Sequence, residues 1–271
     1  MIPLYINWSH DGSLLELGFY ELRIYSILFG LGFVFGFLLL QRHFREDLLP
    51  EEKLEKLFVF VIIGTVIGAR LGHCLFYEFD YYYNNPLEIF LPVRFAPEFE
   101  VTGFQGLASH GGAIGILVAV FIYSWKNKIN TYWVLDKLAL VVPLACGFIR
   151  LGNLFNSEMI GHPTTVPWAF VFRRIDSIPR HPGQLYEAVA YFSIFIFMNL
   201  YSKKVKKESG YLFGLFLVLA CSARFFLEFF KIDQVGFESD LVLNMGQILS
   251  LPFIIAGIIL MKKRGGVIMM V

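Results

Sequence analysis

The chain has 271 residues, 56% hydrophobic and 17% aromatic, with a formal net charge of +1. That composition excludes a disordered segment and argues against an ordinary soluble domain. With so small a charge, and no basic tract interleaved with aromatics, no nucleic-acid partner is expected.

A helix needs about 20 apolar residues to cross hydrocarbon. Seven segments meet that need, near 20–41, 57–77, 107–125, 133–153, 185–201, 211–230 and 244–261. Lipid admits no open sheet edge, so the expected fold is all-α: a polytopic bundle of seven transmembrane helices with a small external cap, forming one membrane domain over residues 1–271. Fourteen of the 23 Lys and Arg residues fall on one side: Arg42, Arg45, Lys53 and Lys56, then Lys126, Lys128 and Lys137, then Lys203, Lys204, Lys206 and Lys207, then Lys262, Lys263 and Arg264. Six fall on the other, namely Arg23, Arg94, Arg173, Arg174, Arg180 and Lys231. The positive-inside rule then gives an external N-terminus and a cytoplasmic C-terminus. The basic clusters, and Asp136 beside Lys137, are read as topological signals. Cys74, Cys146 and Cys221 all lie inside predicted spans, which argues for buried thiols rather than a disulfide framework or a metal site.

The first span is preceded by Asp11, Glu16 and Glu21 rather than by a basic region, so it is expected to be a span and not a cleaved signal. Tyr25, near its outer end, is by default an interfacial belt residue. The second span carries Gly68-Ala69-Arg70 toward its outer end, where Arg70 has Glu78, Glu158, Glu187 or a headgroup as candidate partners. The segment about 79–106 follows, rich in aromatics (Phe79, Tyr81, Tyr82, Tyr83, Phe90, Phe95, Phe99) and holding Pro86, Pro92 and Pro97. It suits the headgroup level, where tyrosine keeps an apolar body and a polar tip. The third span opens with Ser109-His110-Gly111-Gly112. His110 is either a base toward a thiol or hydroxyl, or a hydrogen-bonded neighbour of a packing face formed by Gly111 and Gly115.

The fourth span ends in Arg150-Leu151-Gly152-Asn153-Leu154-Phe155-Asn156-Ser157-Glu158-Met159-Ile160-Gly161. An arginine at membrane depth costs roughly 2.5–3.5 kcal/mol on insertion scales, so a chain that keeps one there has a use for it. Arg150 and Asn153 share a helix face, and the guanidinium fork suits phosphate. The alternative is an Arg–Glu pair tying the span to the segment about 154–184, which holds Pro163, Pro167, Pro179 and Pro182. Arg180-His181-Pro182-Gly183-Gln184-Leu185-Tyr186-Glu187 leads into the fifth span, either setting its angle of approach or presenting polar groups at the outer level. In the sixth span Arg224 and Glu228 are four apart, a possible intrahelical pair, but a second arginine in a separate span raises the odds of a shared anionic ligand. Asn244-Met245-Gly246-Gln247 opens the last span as a packing element.

Taken together and in this order, these residues resemble the phosphatidylglycerol–prolipoprotein diacylglyceryl transferase family of bacterial lipoprotein maturation. The run from Arg150 to Gly161 is similar to the family signature. Tyr25, Gly68-Ala-Arg70, His110-Gly-Gly, His181-Pro-Gly-Gln184-Leu-Tyr186-Glu187, Arg224 with Glu228, and Met245-Gly-Gln247 support it across nearly the whole chain. The chain departs from many members at Ile149, where Gly is usual, and from some at Ala220, where they carry Tyr. The segment around 162–180 is also shorter than in some relatives.

The resemblance implies a single catalytic domain in the bacterial inner membrane. It would move the sn-1,2-diacylglyceryl group of phosphatidylglycerol to the lipobox cysteine of a preprolipoprotein signal peptide, without metal or cofactor. Glycerol phosphate would leave as a thioether forms. Arg150 and Arg224 would grip the phosphate, His110 would resemble the thiol's base, and Tyr25 would join them in the catalytic set. Gly111, Asn153, Asn156, Glu158, Gly161, Arg70, His181, Gln184, Tyr186, Glu187 and Glu228 would contact or shape the substrate. The competing reading is a transporter or flippase of an anionic lipid or solute, against which stands the lack of an inverted repeat or paired broken spans.

Overall fold

The computed structural model describes residues 5–16, 21–91, 93, 95, 106, 108–204, 208–232 and 243–265. Lys206, Lys207, Pro92, Arg94, Pro97, Phe99 and most of the expected segment beyond residue 95 lie outside the described residues. The elements in order are β1 (Ile6–Trp8), β2 (Ser13–Glu16), β3 (Glu21–Arg23), α1 (Ile24–Glu46), α2 (Glu51–Phe76), α3 (Phe79–Asn84), α4 (Ser109–Asn127), α5 (Thr131–Phe155), β4 (Phe170–Phe172), β5 (Pro179–Arg180), α6 (Gly183–Ser202), α7 (Tyr211–Leu227) and α8 (Met245–Lys263). Each expected span has its helix.

Six of these helices are long and apolar enough to cross a membrane: α1, α2, α5, α6, α7 with its 3-10 extension to Phe230, and α8. The third expected span forms as α4 but is not among the six. Its apolar stretch is confined to about Ala113–Tyr123, between Ser109-His110-Gly111-Gly112 and Ser124-Trp125-Lys126-Asn127. Strands also correct the all-α expectation. β1 pairs in parallel with β4, Ile6 opposite Phe170 and Trp8 opposite Phe172, and β4 pairs antiparallel with β5. β2 and β3 form a separate antiparallel ribbon. These strands are two to four residues long and lie outside the apolar runs, so no period-2 signal announces them.

The described chain divides into two compact units, residues 41–134 and residues 1–40 with 135–271, their boundaries falling within α1 and α5. In the first unit α2 and α4 meet along glycines. A Cβ on Gly64 would stand 2.6 Å from the Ala119 Cβ and from the Gly115 carbonyl oxygen, and one on Gly72 would stand 2.7 Å from the Gly111 Cα. Backbones approach this closely only where side chains are absent, which is the small-residue packing of helices in lipid. The buried Tyr123 donates to the Lys53 carbonyl at 2.8 Å, fixing the other end of the same pair.

In the second unit α1 and α5 run antiparallel. Gly32 lies against Ala145, and Gly152 lies under the Tyr25 ring. α7 and α8 are also antiparallel, with Gly214 against Gly257 and Gly246 against Glu228. Asp136 does more than mark topology. Its buried carboxylate accepts from the backbone N–H groups of Gly210 and Phe213, each at 2.7 Å, and so caps the start of α7 from another helix.

Candidate active site

The signature segment folds back on the end of α5. Arg150 Nη1 donates to Asn153 Oδ1 at 3.3 Å and to Met159 Sδ at 2.8 Å. The chain reverses through Ser157 (φ 56°) and Met159 (φ 53°), a left-handed conformation uncommon for residues with a Cβ. The reversal returns Glu158 to the helix end, where its N–H donates to the Asn153 carbonyl at 2.9 Å. The Glu158 carboxylate accepts from Asn153 Nδ2 at 2.9 Å and from Asn156 Nδ2 at 3.1 Å. Buried Gln184, from α6, donates to the Glu158 carbonyl oxygen. Tyr25 packs on Gly152, with its hydroxyl within the electrostatic reach of both Glu158 and Arg150. Asn153, Asn156, Gln184 and Tyr25 thus hold one turn and one carboxylate beside Arg150.

A buried chain of charges runs from Arg150 to the end of α7. Arg150 Nε faces Glu187 Oε2 as an ion pair at 3.2 Å, without hydrogen-bond geometry. Lys231 Nζ donates to Glu187 Oε1 at 2.9 Å and to Glu228 Oε2 at 3.0 Å. The side chains of Glu187 and Lys231 are 0% and 2% exposed, so the chain is desolvated at its middle. Two cations balance two carboxylates, as burial of charge requires.

The alternative reading of Arg224, an intrahelical pair with Glu228, does not form among the described residues. α7 ends at Leu227 and Glu228 begins a 3-10 turn, which takes its carboxylate to Lys231 and to the first turn of α8. There a Cβ on Gly246 would stand 2.7 Å from the carboxylate carbon. The Arg224 guanidinium therefore stands outside the balanced chain and makes no hydrogen bond or ion pair among the described residues. Lys231 was expected only as a loop cation. Its signal in the sequence is weak, a lysine three residues past Glu228, and its placement depends on long-range pairing.

That pairing runs through Gly161. An isolated bridge joins Gly161 to Lys231, with a second from Pro163 to Arg180. A Cβ on Gly161 would stand 2.6 Å from the Phe230 carbonyl oxygen and 2.7 Å from the His181 Cβ. Gly161 thus lets three backbone segments meet, and the bridge places Lys231. Arg180 fixes the same region through Asp176, at 2.5 Å, and the Gly161 carbonyl, at 3.4 Å. It holds the Asp176 carboxyl below the usual range. His181 Nδ1 and the Tyr186 hydroxyl are 3.1 Å apart, and Trp168 Nε1 donates to that hydroxyl at 2.8 Å. His181, Tyr186 and Phe230 form a ring cluster. Burial, with His162 adding to it, holds the His181 imidazole below its ordinary value.

Arg70, His110 and Gly111 belong to the other unit. Arg70 is buried and committed. It donates to the carbonyls of Ile89 at 3.1 Å and Glu88 at 2.6 Å, and its guanidinium lies 4.8 Å from the Tyr82 ring centre. That anchors the turn after α3. Gly111 is buried against Gly68 and Gly72, where it packs α4 on α2. His110 is exposed in the first turn of α4.

Several long apolar helices around a buried cluster of arginine, lysine and carboxylates define a multi-pass membrane protein with a site suited to an anion. Residues 13–262 match the family described as Prolipoprotein diacylglyceryl transferase, and the chain belongs to that family of enzymes. It is 46% identical over 268 residues to the phosphatidylglycerol–prolipoprotein diacylglyceryl transferase of Bacteroides fragilis, covering 97% of this chain and 96% of the relative. Identity is 47% over 259 residues to the protein of that name from Chloroherpeton thalassium, covering 94% and 93% of the two chains. The Tolumonas auensis protein of that name is 44% identical over 256 residues, covering 94% and 95%.

Proposed function

We propose that this chain transfers the sn-1,2-diacylglyceryl group of phosphatidylglycerol to the lipobox cysteine thiol of preprolipoproteins. The observation that carries this reading is Arg224, a guanidinium without a partner among the described residues, at the edge of a charge chain that begins at Arg150. The relatives' shared name supplies both substrates. The thiol sulfur attacks the diacylglyceryl carbon next to the phosphate, a C–S bond forms and the C–O bond breaks. Glycerol phosphate departs with one more negative charge than the phosphodiester had, and the thiol proton passes to a base. Fixed guanidinium donors stabilise charge that grows during the reaction, commonly the largest single contribution to catalysis.

In this reading Arg150 and Arg224 hold the phosphate and His110 takes the thiol proton. Tyr25 and Glu158 border the phosphate site. Asn153, Asn156 and Gln184 fix Glu158, while Glu187, Glu228 and Gly161 fix Arg150 and Lys231. His181 and Tyr186 shape the wall beside them. The chain forms a single catalytic membrane domain over residues 1–271 in the bacterial inner membrane. It has seven spans counting α4, external cap segments about 79–106 and 154–184, an external N-terminus and a cytoplasmic C-terminus. Membrane lipids surround it.

The test is the mass gained by a lipobox peptide incubated with purified protein and phosphatidylglycerol, beside a Cys→Ser peptide. A diacylglyceryl adduct on the cysteine peptide alone is the expected result. Folded protein that yields no adduct but moves anionic lipid between leaflets would replace the transferase with a flippase.

A further inference from the structure

Tyr191 lies on α6 one turn beyond Glu187, so the two side chains leave the same helix face. Its ring is 8% exposed, in a packed cluster with Ala139, Leu140 and Ala220. Nearby, a Cβ on Gly147 would stand 2.5 Å from the Phe192 ring, so α6 comes close to α5 one turn before Arg150. The same cluster takes in Cys146, one turn before Arg150, and Ala223, beside Arg224, so Tyr191 packs against the turns that carry both arginines. Among the described residues its hydroxyl makes no hydrogen bond. A buried tyrosine hydroxyl ordinarily has a partner. Here the ring packs against the turns that carry two arginines, and the Arg224 guanidinium likewise has no hydrogen bond or ion pair among the described residues. A phenol and two guanidiniums on adjoining turns suit one tetrahedral anion.

We propose that Tyr191 is a third phosphate-binding residue, its hydroxyl donating to the phosphate group held by Arg150 and Arg224. This rests on the reading of the site as a phosphatidylglycerol site. The phenol keeps its proton throughout and acts as a neutral donor that adds no charge to the buried site. Ala220, a small residue of α7 in the same cluster, leaves room for the ring.

The experiment measures phosphatidylglycerol binding in detergent micelles, transfer to the lipobox peptide, and thermal unfolding, for the unaltered chain, Tyr191→Phe, and the volume-conserving pair Tyr191→Ala with Ala220→Tyr. Tyr191→Phe is expected to weaken binding about tenfold and to slow transfer about tenfold to a hundredfold, the loss of one hydrogen bond to a charged group. Its melting temperature should hold, and the pair should regain most of both losses. Equal binding and transfer by Tyr191→Phe and an active unaltered chain would overturn the proposal and leave the transferase reading intact. Weakened binding by Tyr191→Phe, with an unaltered chain that binds but never transfers, would sustain Tyr191 and overturn the transferase. An unaltered chain that binds no phosphatidylglycerol would overturn both.

Discussion

Arg150 and Arg224 carry the same charge in different settings, so their removal should read differently. Arg224→Ala removes a cation from outside the balanced chain. It should lower transfer about 10²–10³-fold, as loss of one preorganised donor does, with little change in melting temperature. Arg150→Ala removes one of the two partners of the fully buried Glu187 carboxylate and the contacts to Asn153 and Met159. It should lose transfer and stability together, which peptide mass gain and thermal unfolding separate. Lys231 sharpens the point. Lys231→Met leaves Glu187 and Glu228 facing each other without their shared cation, a break that costs about 3–5 kcal/mol in buried pairs. Adding Glu228→Gln should return much of that loss, because Arg150 and Glu187 then remain as a pair. His110→Asn should slow transfer about 10²–10⁴-fold if the imidazole is the base. The arginines and the signature were legible because polar residues in apolar runs stand out. Lys231 and Tyr191 were not. One looked like an ordinary loop cation and the other like part of an apolar span, and only tertiary pairing brings them to the site.

At the scale of the element, the helices were legible and their partners were not. Apolar runs of about 20 residues locate α1, α2, α5, α6, α7 and α8 from composition alone. The glycines of α2 and α4 hinted at a face, but which glycine meets which needs the register. That register predicts that Gly68→Leu prevents the pair from closing, since even a Cβ there would stand 2.7 Å from the Gly115 Cα. Overpacking of this kind costs about 1–3 kcal/mol or more, and the measurement is the melting temperature. The junction of β5 and α6 makes a pH prediction. His181 is held below its unfolded value near 6.5 by burial and by His162. The unfolded chain then takes up this proton first as pH falls, so the stability from a neutral His181 is complete above about pH 6.5 and is lost below it toward the folded value. Melting temperatures from pH 8 to pH 5 should fall on the acid side, and His181→Asn should flatten that fall.

For the whole molecule the open quantity is whether α4 crosses. Its length, 19 residues, suffices for a span, but its apolar centre is short, so composition leaves the matter undecided. Charge decides it. With seven crossings the basic groups at Arg42 to Lys56, Lys126 to Lys137, Lys203 to Lys207 and Lys262 to Arg264 share one side. With six, the first group is parted from the other three, against the bias that orients membrane chains. Burying α4 against α2 through Gly111 and Gly115 also accounts for the weaker apolar signal, because part of its surface meets a helix and not lipid. Fusion of alkaline phosphatase or a fluorescent protein after Leu91 and after Lys128 tests this directly. The expected result is active phosphatase at Leu91 and fluorescence at Lys128, with fluorescence again after Arg264. The same reporter working at both Leu91 and Lys128 would reduce the count to six and set the two ends of the chain on one side of the membrane. His110 lies in the first turn of α4, so the fusion at Leu91 also reports which face of the membrane the imidazole serves. His110 can meet a lipobox thiol at the outer face only if phosphatase activity appears there.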